Sequence, residues 1–201
     1  MQRINKSDIK AQYCGMSNYK NRIDQPLLKW YAEQYQGTFD LRNVDEILEV
    51  GCGDGSLWKY IVNGTTFTPH VVITDFTELM LAACKENLSA LHLNADYQTA
   101  DIDTLPFSPE TFNAVLAHKV IYHAENPTES IAGIQRILKK NGFFGLSVLN
   151  FKKGAPLKRM EDCISTSAVL SKIYSEEFNL SILSEEINLS ILLLLLIIIS
   201  L

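Results

Sequence analysis

The sequence predicts an α/β fold, a doubly wound and mostly parallel sheet with helices on both faces, and three observations carry that expectation. An apolar strand at residues 47–50 runs into three glycines on alternate positions, Gly51, Gly53 and Gly55, and then into a helix. Strand and helix patterns alternate over roughly a hundred residues, which calls for right-handed crossovers and parallel pairing. Residues 112–117 are nearly continuous in apolar side chains, as a strand covered on both faces should be.

The chain of 201 residues is long enough for one domain with a substantial core, and 47% hydrophobic against 20% charged residues is an ordinary globular balance. The net charge of −5 is uneven: residues 1–30 hold six basic and two acidic groups, residues 31–149 seven basic and fifteen acidic ones. An acidic body argues against a nucleic-acid groove. Cys14, Cys52, Cys84 and Cys163 form no C-x-x-C pair and lie near no histidine at metal-ligand spacing. No metal site and no disulfide framework is therefore expected, and a reducing cytoplasm fits best. The polar N-terminus has no apolar signal region, which argues against secretion.

In chain order, residues 1–23 read as a polar, solvated arm carrying Tyr13, Tyr19 and Arg22. Asp24 as N-cap, Pro26 in the first turn, and Leu27, Leu28, Tyr31 and Tyr35 on one face then describe an amphipathic helix lying against the sheet. The first strand and glycine loop follow. Glycine permits positive φ and lets a ligand approach the backbone, while a following helix offers unpaired N–H groups suited to a carboxylate or phosphate. Glu49, ending the strand beside the loop, would repel a pyrophosphate but could pair with a cationic or hydroxylated ligand. The spacing is G-x-G-x-G; the dinucleotide pattern G-x-G-x-x-G is not met, because Ser56 holds the sixth place.

Glu49, Gly51, Gly53 and Gly55 together resemble E-x-G-x-G-x-G, the first motif of the class I S-adenosylmethionine (SAM) dependent methyltransferases of small-molecule type, with a type 11/25-like domain. The resemblance implies a Rossmann-like sheet, S-adenosyl-L-methionine as cofactor, and cofactor contacts from this loop, Cys52 included. A short helix bearing Leu57, Tyr60 and Ile61 should stop at Asn63-Gly64. The second strand, residues 71–73, closes on Thr74-Asp75. An α/β nucleotide fold places an acid there to hold both ribose hydroxyls, and Thr77 can cap the next helix, leaving Asp75 for the ligand. That helix, residues 78–90, carries Leu79, Met80, Ala83 and Leu88 as a core stripe.

Later motifs extend the resemblance over residues 24–150. In the family, hydrophobic residues just beyond the ribose acid pack on the adenine ring; Phe76 is the nearer candidate here and Met80 the second. The string Asp101-Ile102-Asp103-Thr104-Leu105-Pro106-Phe107 resembles the family's adenine-binding motif, which assigns Asp101 to the exocyclic amine and the backbone N–H of Ile102 to the ring. Residues 112–117 end at His118, and the family places its methyl-acceptor site there. His118, Tyr122 and His123 are the candidate acceptor-site or catalytic residues, with His118 also beside the cofactor. Arg22 and Tyr19 are candidates to cover the methionine end. The segment is not N-P-P-Y, which disfavours DNA adenine or glutamine as acceptor.

A helix from Pro127 carries Ile131, Ile134, Ile137 and Leu138 and is expected to end at Lys139-Lys140-Asn141-Gly142, before a fifth strand at residues 143–149. The tail, residues 151–201, departs from the family, which normally adds an antiparallel pair of strands. Residues 178–183 nearly recur at 187–192, and residues 191–199 are all Ile or Leu. That run is short of the 20 or so apolar residues of a membrane span. It suits a buried strand or an aggregation-prone end, and whether the tail completes the sheet stays open.

Three functions follow from these residues. The first is methyl transfer to a small-molecule acceptor, with no nucleic-acid or membrane partner expected and oligomeric state left open. The second is a NAD(P)-dependent oxidoreductase, which lacks support because neither G-x-G-x-x-G nor a Tyr-x-x-x-Lys pair is present. The third is a catalytically silent SAM-binding module, favoured only by the irregular tail.

Overall fold

The computed structural model describes residues 6–7, 25–62, 67–148 and 179–184. Helix α1, Gln25–Thr38, is followed by a 3-10 turn at Leu41–Asn43 that Asp40 caps. Strands β1 (Glu46–Val50), β2 (His70–Asp75), β3 (Ala95–Thr99), β4 (Phe112–His118), β5 (Leu138–Val148) and β6 (Asn179–Ser184) form one sheet. Between them lie α2 (Trp58–Ile61), α3 (Glu78–Leu88) and α4 (Pro127–Ile137).

The strand order is β3-β2-β1-β4-β5-β6, and every pair is parallel. The order reverses between β1 and β4, so their carboxyl ends flank the crevice where open α/β sheets bind ligands. Glu49 stands opposite Ile73 on one side and Leu116 on the other.

Period-two alternation sends neighbouring residues of each strand to opposite faces, and both faces are covered. One core packs Ile47, Ile73, Leu116 and Phe143 under Tyr31 and Tyr35 of α1 and Trp58 of α2. The other packs Leu48, Val50, Val115 and Ala117 under Ile131, Ile134 and Ile137 of α4. The expected amphipathic helix is thus present. Leu28, Tyr31, Ala32 and Tyr35 recur at helical spacing on its buried face.

Two local expectations are corrected. The last helix does not run to Lys140. It stops at Ile137, because Leu138 turns into the sheet to pair with Phe112 and is buried. Burying that leucine is worth about 1.5–3 kcal/mol, more than one further helical residue returns. The register then jumps, with Ala114 facing Phe143, so residues 139–142 bulge out around Asn141 at φ 59°. Lys139 donates to Asn113 Oδ1 at 3.1 Å instead of neutralising a helix end.

The tail also differs from the pattern the resemblance implied. Its described part, Asn179–Ser184, pairs with β5 in parallel, from Phe143↔Asn179 to Val148↔Ser184. The apolar run at 191–199, the Asn63-Gly64 stop, and Tyr19 and Arg22 of the arm lie outside the described residues. Among the described residues no helix is long and apolar enough to cross a membrane.

Gly145 fixes how closely α1 approaches the sheet. A Cβ there would lie 2.8 Å from both Leu116 Cδ2 and Tyr35 Cε1. Overpacking of this kind costs about 1–3 kcal/mol. Gly145→Val is expected to lower stability by that amount in urea denaturation followed by tryptophan fluorescence, and an unchanged midpoint would show that α1 is not seated on β5.

Candidate active site

The glycine loop leaves β1 with all three glycines at positive φ: 73° at Gly51, 54° at Gly53 and 75° at Gly55. Packing explains two of them. A Cβ on Gly51 would meet Val120 Cγ2 at 2.4 Å, and one on Gly55 would meet Cys84 Sγ at 2.5 Å. The first glycine therefore admits the chain leaving β4, and the third admits α3.

The loop's amides are mostly used within the protein. Cys52 N–H donates to Thr74 O at 2.9 Å, Gly53 N–H to Asp75 Oδ2 at 3.0 Å, Gly55 N–H to Cys52 O at 3.0 Å and Ser56 N–H to Asp54 Oδ1 at 3.1 Å. The helix that follows, α2, is a single turn. The expected array of free helix N-terminal donors is corrected accordingly: the turn that shapes the loop consumes them. Cys52 is buried, and its thiol donates to Gly53 O at 3.4 Å.

Asp75 is the hub of this edge. Its Oδ1 accepts from Thr77 N–H at 2.9 Å and from Thr77 Oγ1 at 3.1 Å, while its Oδ2 takes the Gly53 N–H. Thr77 does cap α3, accepting from Met80 N–H at 3.3 Å. It does not leave Asp75 free, because the same threonine bonds the carboxylate. A ribose diol would share these acceptor sites with the backbone. Burial raises the Asp75 pKa, and the surrounding N–H donors oppose that shift.

Glu49 lies beneath the loop at 1% exposure. Its carboxylate accepts from the Trp58 indole N–H, and its backbone carbonyl accepts from Thr74 Oγ1 at 2.8 Å. Desolvation pushes its pKa up to about 8; the indole hydrogen bond opposes this, and Asp75 and Asp54 add to it. Glu49 is therefore mostly protonated at neutral pH unless a cation comes beside it.

At the end of β3, Asp101 caps the 3-10 turn Ile102–Thr104, its Oδ1 accepting from Asp103 N–H at 3.0 Å. Asp101 Oδ2 takes the ammonium of Lys6, which also reaches Asp103 Oδ2 at 2.8 Å and stands 5.7 Å from the centroid of the Phe76 ring. Ile102 is buried and Phe76 half-buried. Phe76, Asp101 and Ile102 are thus brought together as one patch. An amine donor already sits on Asp101 with an aromatic face beside it, so these residues have the chemistry an aminopurine needs.

His118 ends β4 on the α1 side of the sheet. Its Nδ1 is 2.7 Å from Ser147 Oγ, and Ser147 Oγ also accepts from Lys119 N–H at 3.1 Å. The ring meets Tyr31 edge-on at 4.6 Å and lies 6.4 Å from Tyr35. Nε2 is buried and has no hydrogen-bond partner among the described residues. Desolvation, helped by Lys119, holds the His118 pKa down at about 3, so the imidazole is neutral. Tyr122 and His123 share the 3-10 turn Ile121–His123, half-buried, with ring centroids 4.3 Å apart.

Sequence reasoning passed over Lys6, Trp58 and Ser147. The basic arm hinted at Lys6, but nothing in a linear pattern pairs residue 6 with residue 101. Trp58 had no role assigned to it, and Ser147 was an unremarked strand residue. A surface depression of about 370 Å³ beside Pro109, Glu110 and Arg136 lies at the amino ends of β4 and β5, away from this edge.

Two of the buried titratable groups, Glu49 and His118, predict opposite pH slopes. A folded Glu49 with its pKa near 8 holds a proton the unfolded chain releases at about 4.5, so its contribution falls as pH rises from 4.5 to 8. A folded His118 near 3 refuses a proton the unfolded chain takes below 6.5, so stability falls as pH drops from 6.5 to 3. The slopes offset one another between 4.5 and 6.5. Glu49→Gln is expected to remove much of the decline between pH 6.5 and 8, where one proton is worth up to about 1.4 kcal/mol per pH unit. Urea midpoints across that range check it.

The geometry has its counterpart in known proteins. The family model described as "Methyltransferase domain" matches residues 48–146, the segment from β1 to β5 that carries every motif above. An uncharacterized methyltransferase of Schizosaccharomyces pombe is 28% identical over 138 residues, which is 62% of this chain and 49% of that protein. The ubiquinone/menaquinone biosynthesis C-methyltransferase of Pseudomonas fluorescens is 26% identical over 168 residues, 83% of this chain and 59% of that one. The chain thus spans about half the length of the relatives it matches. The crystal structure of a SAM-dependent methyltransferase from Aquifex aeolicus superposes with a TM-score of 0.57 at 17% identity, covering 76% of this chain and 89% of that one, and shows the same fold. Residues 48–146, just under half of the chain, are thus a methyltransferase domain, and the proteins the chain resembles in sequence are methyltransferases.

Proposed function

We propose that this protein binds S-adenosyl-L-methionine across the carboxyl ends of β1, β2 and β3 and transfers its methyl group to a small-molecule acceptor held near the end of β4. The observation that carries the reading is the convergence of the glycine loop, Asp75, and the Phe76–Asp101 patch on one edge, beside the β1/β4 reversal. When bound, the cofactor supplies a methyl group already activated by its sulfonium. The protein's own task is to hold the reacting atoms in line and exclude water.

The residues present suit that task. Asp75 accepts from hydroxyls, Asp101 accepts from an amine, and Phe76 offers a ring face. Glu49 lies under the loop, where a nearby cation would favour its ionised form over the protonated one. Burial keeps His118 neutral, so it presents an imidazole without a charge that would repel a sulfonium. With Nδ1 engaged by Ser147, its buried Nε2 is the atom left to meet an acceptor's polar group. Cys52 and Cys84 are both free thiols, which agrees with a reducing, cytoplasmic setting.

Calorimetric titration tests the cofactor half. S-adenosylhomocysteine is expected to bind and NADH not to; the reverse result would overturn the reading in favour of an oxidoreductase. Asp75→Ala is expected to lose about 1.5–3 kcal/mol of S-adenosylhomocysteine binding, the worth of hydrogen bonds to a charged group. Because Asp75 also holds Gly53 and Thr77, Asp75→Asn is the companion variant, retaining one acceptor oxygen and a near-native circular dichroism spectrum. Normal binding by both variants would remove Asp75 from the site.

A further inference from the structure

We propose that Lys6 is a competing occupant of the adenine subsite: its ammonium takes the Asp101 oxygen and the Phe76 face that an adenine would use, and so sets the protein's affinity for its cofactor. The proposal rests on the reading of Phe76 and Asp101 given above.

The competition is for particular atoms. Asp101 Oδ1 is committed to the Asp103 N–H that closes its own turn, at 3.0 Å. Oδ2 is the oxygen turned to an external donor, and Lys6 Nζ holds it. The same ammonium lies 5.7 Å from the Phe76 ring centroid, over the face on which a planar base would stack. One cation thus imitates both halves of an aminopurine, the amine that donates and the body that covers the ring. An ammonium–carboxylate bond is charge-assisted and an adenine amine is neutral, so Lys6 is the stronger partner at low cofactor concentration.

Asp103 gives Lys6 somewhere to go. Its Oδ1 accepts from Ser130 Oγ at 2.6 Å and its Oδ2 from Glu125 N–H at 3.0 Å, which fixes the carboxylate independently of any ligand. Lys6 reaches that same Oδ2 at 2.8 Å. An arriving adenine would take Asp101 and leave Lys6 paired with Asp103 alone. Lys6 is therefore displaced over a short distance, and the ion pair it loses is partly exposed, with side chains of Lys6 and Asp101 each 23% accessible. Partial exposure makes the pair sensitive to salt.

The test is calorimetric titration of the full chain with S-adenosylhomocysteine at about 0.02 M and about 0.3 M salt. If the closed arrangement leaves only a small fraction of molecules competent, Lys6→Gln should bind roughly five- to twentyfold more tightly than the wild type at low salt. Wild-type affinity should rise with salt, Lys6→Gln affinity should not, and Lys6→Arg, which keeps the cation, should behave as the wild type. A Lys6→Gln variant that binds equally or more weakly overturns the competition while leaving the cofactor reading intact. Failure of wild type and variant alike to bind overturns the cofactor reading and this proposal together.

Discussion

The carboxylate of Asp75 is the tie on which the carboxyl edge of the sheet depends. It collects the Gly53 N–H from the loop after β1 and the amide and hydroxyl of Thr77 from the start of α3. Two stretches, the loop after β1 and the β2–α3 turn, are thereby fixed by one side chain that can only accept. The arrangement is possible because β1 and β2 are in parallel register, Val50 opposite Thr74, so that their ends arrive together. The glycine loop then needs positive φ to fold back onto Asp75, and packing against Val120 and Cys84 leaves no room for side chains at Gly51 and Gly55.

Next to this tie lies an unusual concentration of buried ionisable groups. Glu49, Asp54 and Asp75 are all at most 9% exposed, and no arginine or lysine pairs with them among the ion pairs of the described residues. The protein copes through dipoles and protonation: the Trp58 indole and backbone amides supply hydrogen bonds, and Glu49 keeps its proton. Such a cluster is costly to bury, and a positive charge placed beside it would lower that cost. In the proposed function that charge belongs to the cofactor, and binding would relieve a penalty already present in the fold.

Across the β1/β4 reversal the electrostatics change. His118 sits between Tyr31 and Tyr35 of α1 and is held neutral by burial, with Ser147 of β5 on its Nδ1. Three elements therefore meet there: α1, β4 and β5. The acidic cluster and the neutral imidazole lie on either side of the crevice. A cationic group would be drawn to the first and not repelled by the second.

The sequence by itself determined the framework. Apolar strands, a helical stripe at Leu28, Tyr31 and Tyr35, and turn residues at fixed places are local signals with a period, and a period can be read along a line. The glycine triplet and the acids at Asp75 and Asp101 were legible for a related reason: each occupies the end of a strand whose position the pattern already fixes. What tertiary structure decided was partnership. Leu138 left the helix for the sheet because Phe112 was there to bury it, Asp75 gave its lone pairs to Gly53 and Thr77, and Glu49 turned from the ligand side to Trp58. Lys6 met Asp101 and Asp103 across most of the chain's first half. Periodicity reports which face a residue occupies, whereas a hydrogen bond depends on which atoms the closed sheet brings within 3 Å or so, and that distance is set by every crossover between them.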